Sequence, residues 1–367
     1  MSEANVDAND SKAKAFRCPN CSADMRYDAG EQKLACDHCG HVKAIAQQEG
    51  QQNIVEYNLE GGLAQSAERG LGAETKSSRC QECGATVSFT EAETAKSCDF
   101  CGSSQILEQQ SNRNLIRPES VVPFKVDRQA ASKSFTGWLS KLWFRPSDLK
   151  VKAKVTEIGG VYIPYWTFDA DVHSDWTAEA GYYYYVTETD DEGDEHEVRH
   201  TRWEQAWGDR RDNFDDVLVC ASKGLPENLS KKLSTFNTKE LQPYDPGFLA
   251  GWRAEEYAVD LNEGWKQAVS QMESKQHSRC AGDVDGDTHR FLNVANTFSN
   301  ETFKHVLLPI WISAYRYKEK VYRFLVNGQT GEVAGKAPWS AIKITLFVLA
   351  LIGLGAGIAL LVAYFKR

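Results

Sequence analysis

Eight of the ten cysteines in this chain repeat one pattern twice. Cys18-x2-Cys21 is followed after fourteen residues by Cys36-x2-Cys39, and Cys80-x2-Cys83 is followed at the same interval by Cys98-x2-Cys101. One Cys-x2-Cys can close two thiolates onto a cation from a single tight turn. A fourteen-residue spacer lets a hairpin return the second pair to complete a tetrahedral all-sulfur site. Asp28-Ala29-Gly30 supplies a turn inside the first spacer, and Gly40, Gly84 and Gly102 each directly follow a pair, where positive φ helps the turn aim its amides at sulfur. The expected ligands are therefore Cys18, Cys21, Cys36 and Cys39 for one structural Zn2+ and Cys80, Cys83, Cys98 and Cys101 for a second. Iron can use the same four thiolates, so zinc versus iron stays open on spacing alone. Disulfides would need an oxidising compartment, and the first fifteen residues are polar and acidic rather than a secretory signal. With every coordination position filled by protein, such a metal holds structure and has no open site for catalysis. Cys220 and Cys280 lie outside the repeat and are expected to be ordinary buried thiols.

Other residue types with chemical potential are sparse. Asp169, Asp171, His173 and Asp175 alternate along one expected strand and so share a face, where they can hold a metal or pass a proton; a solvated strand face produces the same alternation. Asp283-Val284-Asp285-Gly286-Asp287 fails as a calcium loop, because the glycine comes early and Val294 stands where the twelfth-position Glu is required. No phosphate loop, GxGxxG or nucleophile motif is present. No catalytic or cofactor-binding residue is assigned, and a non-enzyme is expected. The run Tyr182 to Tyr185 is expected to place two rings in a core and two outside.

These residues require elements to position them. The chain has 367 residues and a net charge of −9, enough for two or three domains. The expected class is α+β: two small four-cysteine zinc ribbons (16–42 and 79–107), a larger α+β domain with an antiparallel sheet (120–336), and one C-terminal transmembrane helix (343–365). A disordered N-terminus (1–15) and a Gln, Gly and Ser-rich linker (43–78) complete the division. Within the large domain, residues 127–143 have helical spacing with Asp127 as N-cap, and GGVYIPYWTFDADVHSDW reads as strand. A long hairpin is expected with a charged tip at Asp190 to Glu195, then a separate strand DDVLVCAS and a longer helix AVDLNEGWKQAVSQMESKQ. The closing strands lie in HVLLPIWISAYRYKEKVYRFLVNGQTGEV. Strands mixed with helices, without βαβ alternation, favour an antiparallel sheet over a doubly wound one.

Ile344 to Phe365 contains twenty-two residues without a charge, about 33 Å as a helix, which suffices for the hydrocarbon core of a bilayer. Lys343 precedes it, Lys366 and Arg367 follow, and Trp339 and Tyr364 sit where interfacial aromatics are expected. The reading is a single-pass tail anchor in the cytoplasmic (inner) membrane, with the N-terminal domains in the cytosol, where zinc thiolates stay reduced. Gly353 and Gly357 form a GxxxG face of the kind on which two helices pack, which would make a homodimer. Residues 1–110 carry 10 Lys and Arg against 17 Asp and Glu, so the cysteine modules lack the basic stripe that phosphate neutralisation requires.

Together, the two cysteine modules, GGVYIPYWTFDA, FDDVLV, QPYDPGFLAGWRAEEY, TFKHVLLPIWISAYRYK and YRFLVNGQTGEV resemble a bacterial family of tail-anchored double zinc-ribbon membrane proteins. Its members carry labels such as "TFIIB-type zinc ribbon" or primosomal protein N′/helicase-like, the latter without a nucleotide-binding motif to support it here. The resemblance implies work at the cytoplasmic membrane with SPFH/flotillin-like or phage-shock-protein-A-like protein partners, in membrane organisation or envelope stress. The expected function is a non-enzymatic membrane-anchored adaptor; the alternative is a membrane-tethered nucleic-acid-associated protein.

Overall fold

The computed structural model describes residues 16–45, 54–61, 70–71, 76–89, 97–112, 114–149, 154–155, 158–189, 193–233, 235–318 and 320–365. The expected disordered N-terminus, parts of the 43–78 linker and residues 190–192 of the hairpin tip fall outside them. Strands β1 (Arg26–Asp28), β2 (Lys33–Ala35) and β3 (Val42–Lys43) form a small antiparallel sheet. Its β1–β2 turn is closed by Asp28, whose Oδ1 accepts from the Gly30 and Glu31 amides at 2.8 Å each. Then follow β4 (Tyr57–Asn58), β5 (Lys76–Cys80), β6 (Thr86–Phe89), β7 (Ile106–Gln110), β8 (Ser120–Val121), helix α1 (Arg128–Lys141) and β9 (Lys154–Val155). The remainder comprises β10 (Gly159–Thr189), β11 (Glu195–Cys220), a helical turn at Glu227–Ser230, β12 (Gln242–Pro243), β13 (Arg253–Glu255), α2 (Leu261–Asp283), β14 (Thr288–Tyr317), β15 (Lys320–Asn327), β16 (Val333–Gly335) and α3 (Ala341–Phe365).

Three strands dominate. β10 is 31 residues long and pairs antiparallel with β11 on one side and β14 on the other. At about 3.3 Å per residue, β10 spans about 100 Å. Its first segment, Val161 to Phe168, is buried on both faces and reads as an unbroken run of Val, Tyr, Ile and Trp around Pro164. Beyond Phe168 the strand alternates: Ala170, Val172, Ser174, Trp176, Ala178 and Ala180 are buried, and the residues between them are half-buried or exposed. α2 covers that buried face with Leu261, Gly264, Ala268, Met272, Gln276 and Cys280, which recur every three or four residues. Asp260 caps α2 by accepting from the Glu263 amide at 2.8 Å. The half of the molecule away from the core is thus a three-stranded arm with one face covered and one bare.

The sheet is α+β in character with antiparallel long strands, as expected, but it is mixed. β13 pairs parallel with β10, and β8 pairs parallel with β14. β13 also pairs with β6, so β5, β6 and β7 of the second cysteine module are hydrogen-bonded into the large sheet. The segment expected as a separate strand, DDVLVCAS, is the end of β11, and the hairpin runs without interruption from Gly159 to Cys220 apart from its tip. β14 starts at Thr288, well before the expected HVLLPIW. The strands stay paired through three bulges, each with a left-handed residue on the partner strand: Asp216 (φ 51°), Asn300 (φ 53°) and Phe291 (φ 54°).

α1 begins where expected, with Asp127 Oδ1 accepting from the Ala130 amide at 2.7 Å. The tyrosine run departs from expectation. None of its four rings is buried: Tyr184 and Tyr185 are exposed, while Tyr182 and Tyr183 lie under Arg202 and Arg199. The third strand ends opposite Gly181, so the run pairs only with β11 among the described strands. α3 is 25 residues long, its most apolar 18-residue stretch has a mean hydropathy of 2.7, none of its residues is buried, and it is long and apolar enough to cross a membrane.

Candidate metal centres

Each cysteine pair is held by the same local geometry, repeated four times. The amide four residues after the first cysteine donates to that cysteine's carbonyl: Ser22 to Cys18, Gly40 to Cys36, Gly84 to Cys80 and Gly102 to Cys98, at 2.8 to 3.0 Å. In return, each first cysteine's amide donates to the carbonyl five residues on, at Ala23, His41, Ala85 and Ser103. The residue after each second cysteine is left-handed, with φ of 59°, 71°, 78° and 75° at Ser22, Gly40, Gly84 and Gly102. Three of the four are the glycines visible in the sequence; Ser22 adopts the same conformation without one.

The hairpins bring the pairs together. Cys18 Sγ lies 3.5 Å from Cys39 Sγ and Cys21 Sγ lies 3.5 Å from Cys36 Sγ. In the second module the matching separations are 3.5 Å for Cys80–Cys101 and 3.6 Å for Cys83–Cys98. All four sulfurs of each set lie within 4.8 Å of one another, and none is in a disulfide. A tetrahedron with Zn–S bonds of about 2.3 Å has S···S edges of about 3.8 Å, so the two clusters have the size of a four-sulfur zinc site. In the second module electrostatics points the same way. The Cys83 sulfur and burial push the Cys98 thiol well above its ordinary range, and burial pushes Cys101 up to about 11. Four sulfurs this close resist joint ionisation unless a cation lies among them. Both clusters are therefore compatible with zinc, as the sequence spacing anticipated.

The modules differ in their attachment. The first packs Met25, Tyr27 and Leu34 into the same apolar cluster as Phe124, Tyr162 and Trp311. Trp252 Nε1 donates to the Tyr27 carbonyl at 2.8 Å, and Gln32 Nε2 donates to the Phe124 carbonyl at 2.6 Å. The second is joined by the β6–β13 ladder and by Arg253, whose Nη1 contacts both oxygens of Asp99, next to Cys98, at 2.6 and 2.7 Å. The hairpin β1–β2 is thus a packing surface.

The acidic strand face does not converge on a site. Asp171 accepts from Asn213 and Asn300 at 2.9 and 2.7 Å, and His173 faces Asp209 across the ladder at 3.3 Å and Asp175 at 3.8 Å. Asp169 joins Asp215 and Asp216, two residues the sequence did not single out, in a group whose oxygens lie within 4.8 Å. That group already has a cation: Lys304 Nζ lies 2.9 Å from Asp216 and 2.6 Å from Glu56. Burial pushes the Asp169 carboxyl up to about 6, against donation from the Asp216 amide. Cys280 is fully buried, as expected, and Cys220 is half-buried.

The uncharacterized protein YdjG of Bacillus subtilis (strain 168) is 30% identical to this chain over 350 residues, spanning 92% of the chain and 94% of YdjG. The chain belongs to the YdjG family. A match of that extent takes in the long-stranded body, so the kinship with YdjG is not confined to metal-binding spacing. No family model matches the chain, and no solved structure matches it.

Proposed function

We propose that this is a non-enzymatic, membrane-anchored adaptor of the tail-anchored double zinc-ribbon type. In it two structural zinc ions stiffen the body, and the long arm presents a surface to protein partners at the cytoplasmic membrane. The observation that carries this reading is the bare face of the arm. Trp207 is 76% exposed and shares that face with Thr177, its direct partner across the ladder. Phe291, at the neighbouring bulge, is 75% exposed and holds a positive φ that a bulky residue adopts only at a cost. Large exposed aromatics on an extended, otherwise charged face are what protein recognition uses. The closed four-sulfur clusters support a structural role for the metal, and the unburied apolar α3 supports anchoring. The expected partner class is SPFH/flotillin-like or phage-shock-protein-A-like membrane proteins.

The test is affinity capture of the tagged full chain from gently solubilised native membranes, beside a Trp207→Ser/Phe291→Ser variant. The expected result is co-purification of that partner class with the native chain and its loss from the variant, with zinc content and membrane insertion unchanged. Equal recovery with both chains would remove the arm as the docking surface. Recovery of nucleic acid in place of protein would overturn the adaptor reading.

A further inference from the structure

Where α1 ends, residues 142–147 run back along the start of α3, and this junction has the makings of a lipid site. Lys343 Nζ donates to the Trp143 carbonyl at 3.1 Å, and the Ser340 amide donates to the Phe144 carbonyl at 2.9 Å. The Phe144 ring meets Phe347 edge-on at 5.2 Å. Phe347 lies six residues into α3, about 9 Å along its axis, so the loop descends to the level at which the apolar segment begins. Trp143 nevertheless is 74% exposed, and Trp339, just before α3, is 66% exposed. In water these rings have no reason to stand clear; at a bilayer surface they occupy the interfacial layer that tryptophan prefers.

A cavity of about 360 Å³ opens here, lined among others by Leu139, Lys141, Trp143, Arg145 and Lys343. Arg145 lies 3.7 Å over the Trp339 ring and donates to the Ala337 carbonyl at 2.6 Å. Among the described residues, none of the three cations has a carboxylate within ion-pair distance. The nearby acid in the loop, Asp148, instead accepts from the Tyr317 hydroxyl at 2.8 Å. Three cations converge on one cavity at the membrane level without a protein counter-charge.

We propose that the 142–147 loop and the first turn of α3 form a binding site for the phosphate of an anionic phospholipid headgroup. Lys141, Arg145 and Lys343 supply its positive charge, and Trp143 and Trp339 seat it in the interface. The inference rests on the membrane-anchored reading above and adds a lipid preference to it. The site makes the anchor selective for an anionic leaflet and fixes the rotation of α3 beneath the body.

The experiment uses the delipidated full chain in mild detergent, titrated with phosphatidylglycerol, phosphatidylcholine or inorganic phosphate and read by native mass spectrometry. One phosphatidylglycerol is expected to bind in preference to phosphatidylcholine. Lys141→Gln/Lys343→Gln should weaken phosphatidylglycerol roughly fivefold per charge removed and leave phosphatidylcholine unchanged. Because Lys343 also holds the loop, Lys141→Gln alone serves as a second variant without a structural contact, and its own fivefold loss is required. Equal binding of the two lipids, unchanged affinity in either variant, or full displacement by millimolar inorganic phosphate would overturn the headgroup site. Alkaline carbonate washing of native membranes separates the two readings. A chain released by carbonate would overturn the anchor and the lipid site together, whereas a retained chain without lipid preference overturns the lipid site alone.

Discussion

At the scale of single residues, Glu255 is a buried acid with a pH-dependent consequence for folding. It is 1% exposed on β13, and burial pushes its carboxyl up to about 8 against the weaker pull of Ser222 and the Gly224 amide. Because the folded value is raised above the unfolded one of about 4.3, the folded state binds this proton more tightly. Its contribution is therefore fully present below about pH 4 and is lost as pH rises toward 8, at a cost on the order of a few kcal/mol. Glu255→Gln should raise the melting temperature at pH 8, leave it nearly unchanged at pH 5, and flatten the native protein's decline between them. A variant whose curve stays parallel to the native one across that range would show that Glu255 is not the titrating group. None of this was legible in the sequence, where Glu255 is one acid in RAEE; its burial is created by β13 slotting between β10 and β6. The cysteines were legible to the last residue, because metal geometry restricts spacing far more tightly than burial restricts an acid.

At the scale of elements, α2 shows how closely a helix can lie on the arm. A Cβ added at Gly264 would meet Trp166 Cδ1 at 2.8 Å and Phe168 Cζ at 3.3 Å, and Trp166 is fully buried. Alanine is the better helix former by about 1 kcal/mol. Overpacking a side chain that cannot retreat costs about 1–3 kcal/mol, so steric conflict wins. Gly264→Ala is expected to lower stability to denaturant, with the midpoint falling and the slope unchanged; a rise in midpoint would mean that Trp166 can move. Helix periodicity made α1 and α2 readable, Asp127 and Asp260 acting at their starts as caps do. The first half of β14 was missed although Leu292, Val294 and Phe298 do alternate. Asn296 interrupts that apolar row because its carbonyl accepts from Ser174 Oγ at 2.6 Å under α2, a partnership only the assembled sheet reveals. The bulges hid the length of β11 and β14 in the same way, because the extra residue falls on those strands and not on β10. Each bulge shifts the period-2 register by one residue, so a continuous strand reads as pieces.

At the scale of the whole molecule, the question is whether the cysteine modules are appendages or part of one folding unit. The geometry argues for one unit. Cys18 and Cys36 lie in the same apolar cluster as Phe124, Tyr315 and Phe324, and Cys80 and Cys98 lie in the cluster of Val161, Ile163 and Leu308. β13 transmits the second module directly into β10, and Arg253 ties Asp99 to the same strand. Zinc binding contributes about 10–16 kcal/mol to the folding of isolated four-ligand peptides. If a few kcal/mol of that reach the body, zinc removal should lower its melting temperature by roughly 10 °C. Scanning calorimetry of the detergent-solubilised chain, with and without a strong zinc chelator, is the measurement. A single transition that shifts downward as a whole is expected, with Cys36→Ser and Cys98→Ser each producing part of the shift. A body transition that stays in place while a separate low-temperature transition disappears would make the modules autonomous beads on the chain. The arm, about 70 Å of strand beyond Phe168 and rooted in β10 between the two clusters, would then lose its reason to be built on them. Under the coupled architecture, metal loading instead decides whether the root of the arm, and with it the face carrying Trp207 and Phe291, is held in one orientation relative to the body.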